Sequence, residues 1–418
     1  MNRLTWDKVT FSIFGILALS LFAKESINTF IFICLVLAII VLAVKNRTMG
    51  SLLKLLKKPF SLLCISYFIL GCIGFMVNNE SNSGYLLRLM PILLCPLLIF
   101  YGKFMLEHQK IILFIKLFVL GNIILLGVLD VWAIVDMIAN QSLFVEIEGR
   151  VYYRFLYTRF TQGDYFNHIY LSIYTFLSLL LTFQFSLVKK KMRLLLALYF
   201  LLHLFMLGSR AVVIAMIVSS LVFLVLAAFK NRKYVKYLMG LLTGLILLSL
   251  LAYQYKDTVL FNRYSQVFEW YAKKDMILER DYSVNKRLKI YIIGSSFFST
   301  KSFEINGTGI VDQSIERRYN EMFKNSFGFN TETYNSHNQY INNFIDWGYL
   351  GVLLLIILLG ILVRRSILSK AYWLAFFWIF FAFLLMMESA LIRQRGIMLF
   401  VILGGITLSL SSNTKQLK

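Results

Sequence analysis

Twelve apolar runs, each near the length of a bilayer crossing, divide this chain into short charged connections and one long polar segment. They cover residues 9–23, 27–44, 60–77, 86–105, 111–137, 168–187, 194–208, 211–229, 237–253, 348–363, 371–387 and 396–410. A hydrocarbon core about 30 Å thick takes roughly 20 helical residues, and fewer where flanking side chains snorkel. Inside a bilayer the backbone must satisfy its own polar groups, so open strands and lipid-facing loops are excluded. The expected fold class is therefore an all-α polytopic membrane protein with about twelve transmembrane helices. A hydrophobic share of 59% and a mean hydropathy of +0.72 lie well above those of a soluble domain. The first run, Val9 to Ala23, passes into Lys24 and Glu25 without a small-residue cleavage site and is expected to stay as the first span.

The net charge of +22 raises the question of nucleic acid. Its lysines and arginines, however, sit in short clusters between apolar runs and not along one amphipathic face, which is the pattern of topology signals. With the N-terminus in the cytoplasm, the clusters "KNRTMGSLLKLLKK", "KKKMR", "KNRKYVK", "RRSILSK" and "KQLK" all reach the cytoplasmic side. The opposite side then receives "NNESNSGY", the segment 140–167 and one long segment, 255–347. This sets the expected organisation: nine N-terminal helices over 1–254, a long outer loop over 255–347, and three helices with a short cytoplasmic tail over 348–418. The long loop carries twelve Lys or Arg against eleven Asp or Glu, with interspersed aromatics, a composition that suits short helices on the membrane face better than disorder. Cys34, Cys64, Cys72 and Cys95 all fall inside apolar runs and read as small core side chains. Pro91 and Pro96 are expected to bend the fourth span.

The candidate chemistry gathers at the expected outer ends of these spans. In "SHNQYINNFIDWGYLG", a helix capped by Asn335 or Ser336 would carry His337, Ile341, Phe344, Gly348 and Gly351 on one face, the two glycines admitting a neighbouring helix below the imidazole. Spacing alone leaves two readings: the histidine solvates a helix end, or it is a base, since an ordinary imidazole pKa of about 6.5 suits proton transfer near neutrality. His203, within an apolar run, reads as a satisfied packing residue. Arg210, in "LGSRAVV", has no topological task on the outer side and follows small residues at a helix start, a place that favours an anion; the alternative is snorkelling to lipid headgroups. Arg287, in "NKRLKIY", offers a guanidinium for phosphate oxygens or belongs to a basic rim with Lys286 and Lys289. Arg88 lies near the outer end of the fourth span, where charge is expensive, and Glu388 is placed to pair with Arg393 or Arg395. Asp130 and Asp136 match no metal pattern. No phosphate-binding glycine loop, zinc motif, nucleophile elbow or outer DxD pair is present, which argues against ATP-driven transport in cis and against a metal-held nucleotide sugar.

At this point the chain resembles the bacterial O-antigen ligases of the O-antigen ligase and polymerase superfamily. Their signature, His, then Asn/Ser/Gln, nine residues, Gly, two residues and Gly/Thr/Tyr, is met by His337, Asn338, Gly348 and Gly351. Arg210 in "GSRA" resembles the family's arginine after a span. Arg287 resembles its loop arginine, which precedes an aromatic and a GxG, here Tyr291 and Gly307-Thr308-Gly309, although Tyr stands for the commoner Trp and a proline before GxG is missing. Glu388 resembles an acidic position of some relatives. The resemblance implies a GT-C-like glycosyltransferase of the bacterial inner membrane, working on the periplasmic face without cofactor or metal. Its donor would be O-antigen on undecaprenyl diphosphate and its acceptor the lipid A core. In that reading His337 is the general base, Arg210 and Arg287 bind the diphosphate, and Asn338, Gly348, Gly351, Arg88 and Glu388 support them. The alternatives are an O-antigen polymerase, a protein O-oligosaccharyltransferase, for which the short C-terminal tail is unfavourable, and a lipid-linked-sugar carrier. The carrier reading predicts mid-membrane charges and leaves the long loop without a task.

Overall fold

In the computed structural model, residues 3–77, 84–104, 108–147, 150–156, 160–161, 166–185, 187–254, 291–294, 296 and 336–410 are described. The helices are α1 (Arg3–Ser20), α2 (Glu25–Lys45), α3 (Met49–Leu56), α4 (Pro59–Val77), α5 (Gly84–Phe104), α6 (His108–Ala139), α7 (His168–Gln184), α8 (Lys190–Leu207), α9 (Arg210–Lys230) and α10 (Val235–Gln254), followed by α11 (Gln339–Leu368), α12 (Tyr372–Leu385) and α13 (Gln394–Leu410). A helix therefore underlies each of the twelve apolar runs, and α3 is an additional short helix within the first basic cluster. Among the described residues, six helices are long and apolar enough to cross a membrane: α2, α4, α5, α6, α9 and α11. The chain is a multi-pass membrane protein. The expected domain boundary at 347/348 falls inside α11, and α5 continues as one helix through Pro91 and Pro96.

The all-α expectation needs one correction. After α6 the chain forms an antiparallel hairpin, β1 (Phe144–Ile147) with β2 (Arg150–Tyr153), in a register running from Phe144 opposite Tyr153 to Ile147 opposite Arg150. "FVEI" and "RVYY" are rich in β-branched and aromatic residues, which suits short paired strands. The hairpin is anchored by Arg154, which pairs with Asp136 at the end of α6 and donates from Nε to the Ser142 carbonyl at 2.9 Å.

Helix α13 lies at the centre of the bundle, buried at every residue from Gln394 to Thr407. It packs against α5, and Trp378 of α12 donates from its indole to Thr407 Oγ1 at 2.9 Å. Between α6 and α7, Asn122 donates to Ser178 Oγ at 3.0 Å and Thr175 Oγ1 at 3.4 Å, a polar contact of the kind that holds helices where solvent gives no hydrophobic drive. Outward-facing apolar side chains are abundant, with Phe30, Met76, Val131, Leu194 and Phe229 all more than 60% exposed, as a lipid-facing surface requires.

Several contacts draw distant connections to one end of the bundle. Arg395, at the start of α13, donates from Nη2 to the Ala23 carbonyl between α1 and α2 at 3.3 Å and stacks over the Phe166 ring just before α7, 3.5 Å from its centroid. Tyr170 of α7 donates to the Ala390 carbonyl between α12 and α13 at 3.4 Å. The start of α11 joins the same group through Gln339, whose Oε1 accepts from the Leu391 backbone N–H at 2.8 Å.

Candidate functional site

The stretch Ser336–Asn338 is a tight polar turn and not a helical turn. Asn338 is the N-cap of α11, its Oδ1 accepting from the N–H groups of Tyr340 at 3.0 Å and Ile341 at 3.1 Å. The expected caps at Asn335 or Ser336 are thereby corrected. Ser336 contributes otherwise: its hydroxyl donates to the Asn338 carbonyl at 2.6 Å and lies 3.2 Å from the Asn338 N–H. His337, between them, is left-handed with φ 48°, a conformation uncommon outside glycine that tends to cluster at functional sites. The Tyr291 hydroxyl lies 3.3 Å from the His337 carbonyl and 3.4 Å from that of Met386.

The single helical face proposed from spacing is also corrected. His337 lies before the helix, so the backbone turn aims its ring. Gly348 breaks α11 with φ 64° and ψ −157°, a region essentially reserved for glycine. A Cβ on Gly351 would stand 2.7 Å from the Asn343 carbonyl oxygen and 2.9 Å from Trp347 Cβ. The two signature glycines therefore fold α11 back on itself at a kink. The nine residues above the kink form a short separate helix, buried continuously from Asn342 to Gly348. Trp347 fills the bend and meets Tyr67 of α4 edge to face, with centroids 4.7 Å apart.

Glu388 points at the histidine. Its Oε2 lies 3.3 Å from His337 Nδ1, with the carboxyl side chain 9% exposed and the imidazole 31% exposed. Glu388 therefore meets His337, a partner that the sequence reading did not name. Arg395 approaches Glu25, Nε to Oε1 at 3.9 Å, besides its contacts with Ala23 and Phe166. A carboxylate facing Nδ1 favours the tautomer that carries its hydrogen on that nitrogen.

Arg210 opens α9, half-buried, after Gly208 in the left-handed region (φ 54°) and Ser209, the N-cap, whose hydroxyl accepts from Val212 N–H at 3.5 Å. Helix α7 runs antiparallel to α12, because Phe176 meets Phe380 at 4.3 Å while Tyr170 reaches Ala390. Short connections reverse the chain into α8 and again into α9, so α9 is parallel to α7. Phe223 of α9 touches Phe376 of α12, 5.5 Å between centroids. From there Arg210 lies thirteen residues toward the N-terminus of α9, and the C-terminus of α12 at Leu385 lies toward the same end. Arg88, on α5, is exposed. Arg287 and Gly307-Thr308-Gly309 lie outside the described residues; Tyr291, four residues after Arg287, reaches His337.

Residues 194–356 match the protein-family model described as O-antigen ligase. This segment is similar to the O-antigen ligase family. The matched segment starts within α8 and ends within α11, so it includes Arg210, Tyr291, His337, Asn338, Gly348 and Gly351, while Glu388 lies beyond it. No curated protein matches the chain.

Sequence reading missed Gln339, Asn343 and Tyr67. All three are buried, and Asn343 Nδ2 donates to Tyr67 across to α4 at 3.0 Å. Their signal was a run of amides, "NQYINN", in a span-like helix, where buried amides need partners. His203 behaves as expected of a packing residue, with Nδ1 2.8 Å from the Tyr199 carbonyl and Nε2 3.1 Å from each Asp130 oxygen. Among the described residues no group of three or more His, Cys, Asp or Glu could hold a metal ion.

Proposed function

We propose that the protein is an O-antigen ligase, transferring O-antigen from undecaprenyl diphosphate to a hydroxyl of the lipid A core on the periplasmic face of the inner membrane. The observation that carries this reading is the His337–Glu388 pair, with His337 in the signature turn inside the matched segment. In this reading the twelve helices underlying the apolar runs are spans, both ends of the described chain face the cytoplasm, and residues 255–347 form the periplasmic loop.

The reaction needs one proton acceptor and charge stabilisation for a leaving group that is already good. The acceptor hydroxyl oxygen attacks the anomeric carbon while its proton passes to His337 Nε2. Nδ1 keeps its hydrogen on Glu388, so the imidazolium that forms is paired with a carboxylate. The anomeric carbon–oxygen bond breaks on the opposite side, inverting the carbon, and undecaprenyl diphosphate departs with the electron pair. Arg210 and Arg287 hold its oxygens, a role a guanidinium fills bidentately and without a metal.

Deletion of the gene and electrophoresis of the lipopolysaccharide test the reading. A ligase mutant is expected to carry bare core, with long glycan retained on the lipid carrier. Core capped by a single repeat unit would instead identify a polymerase.

A further inference from the structure

Three hydrogen bonds near the candidate base form a chain with only one consistent polarity. The Leu391 N–H donates to Gln339 Oε1 at 2.8 Å, Gln339 Nε2 donates to Asn343 Oδ1 at 2.8 Å, and Asn343 Nδ2 donates to the Gly351 carbonyl at 3.2 Å. A backbone N–H only donates and a backbone carbonyl only accepts, so the two ends dictate which way both side-chain amides face. The chain starts three residues after Glu388 and ends at the last glycine of the signature, passing through the first turn of α11, two residues after His337. Gln339 is 2% exposed and Asn343 0%, so both amides exchange these partners for nothing better in an apolar interior.

His337 and Glu388 come from segments 51 residues apart, and neither belongs to a continuous helix with the other. Their relative placement depends on whatever ties the turn after α12 to the start of α11. We propose that Gln339 is a positioning residue that sets the register of the Glu388 turn against His337, and that Asn343 transmits the shape of the Gly348–Gly351 kink into that register. The signature glycines then influence the imidazole through the amide chain as well as through the backbone. This inference rests on the reading of His337 and Glu388 as base and partner.

The test is a double-mutant cycle on the full-length protein in membranes, with lipid-linked O-antigen as donor and lipid A core as acceptor. Gln339→Met keeps the side-chain length and removes both hydrogen bonds. It is expected to lower kcat about ten-fold, ~1.4 kcal/mol, with donor KM unchanged within about two-fold. In a Glu388→Ala background the same substitution is expected to cost less than about two-fold, because what it positions is gone. A general weakening of the fold would lower both backgrounds equally, so equal losses overturn the proposal, as does unchanged turnover in Gln339→Met. Should Gln339→Met fail to reach the membrane, Gln339→Asn keeps a buried amide but shortens its reach, and in the same cycle it is expected to lower kcat about ten-fold beside Glu388 and less than about two-fold in Glu388→Ala. Equal Gln339→Asn losses in the two backgrounds overturn the proposal. If His337→Ala itself retains full turnover, the reading of the base fails, an outcome separate from a silent Gln339→Met alongside an inactive His337→Ala.

Discussion

Glu388 holds His337 from the Nδ1 side, at 3.3 Å, across a junction between the end of α12 and the residue before the α11 cap. Neither residue owes its orientation to a regular helix. The histidine stands in a left-handed turn and the carboxylate follows the last turn of α12, so the pair depends on two short irregular segments packed against each other.

His337→Ala is expected to abolish detectable ligation, a loss of about 10²–10⁴-fold for a removed general base, with normal protein levels in the membrane. Lipopolysaccharide profiles of a complemented deletion strain, together with turnover of the purified protein, check this. Wild-type turnover in the variant would remove the base from the mechanism.

Glu388→Ala should retain His337 as a base but lose its alignment and its counter-charge, lowering kcat about 10- to 100-fold. Combined with His337→Ala, it should add nothing measurable, since residues that act as a unit are not additive. Kinetics of the two single variants and the double variant decide the matter.

Gly348→Ala forces a side chain into a backbone region open essentially to glycine alone, at a cost of about 1–3 kcal/mol. Gly360, farther along α11, has nothing within 4 Å of an added Cβ and serves as the control. Thermal unfolding in detergent should show a lower Tm for Gly348→Ala and little change for Gly360→Ala. The reverse order would mean that the kink is not imposed by the backbone.

Arg210→Ala is expected to lower kcat/KM for the lipid diphosphate donor by one to two orders of magnitude, about 1.4–2.8 kcal/mol. Arg210→Lys should restore only part of it, because an ammonium keeps the charge but not the planar two-pronged contact. Chelating divalent ions should leave the wild-type rate unchanged if the arginines carry the leaving-group charge. Loss of activity in chelator that returns with magnesium would oppose this reading.

The helical bundle was legible because apolar length is a direct physical consequence of bilayer thickness, and each run that was long and greasy enough became a helix. His337, Gly348 and Gly351 stood out as residue types whose chemistry or backbone freedom is distinctive. Their geometry did not follow from spacing, because the helical period applies only within a helix, and here the cap is Asn338 and the helix breaks at Gly348. The β-hairpin was hidden by its brevity, since four-residue strands leave little periodic signal.

The sequence by itself determined that this chain lives in a membrane and which side chains are candidates for chemistry, since composition, charge clusters and residue type act locally. Only the tertiary structure decided that Glu388 meets His337, that Arg395 meets Ala23, Glu25 and Phe166, and that Gln339 ties two segments together. Those pairings join residues distant along the chain, and a side chain with several possible partners takes the one that helix packing brings within hydrogen-bond range.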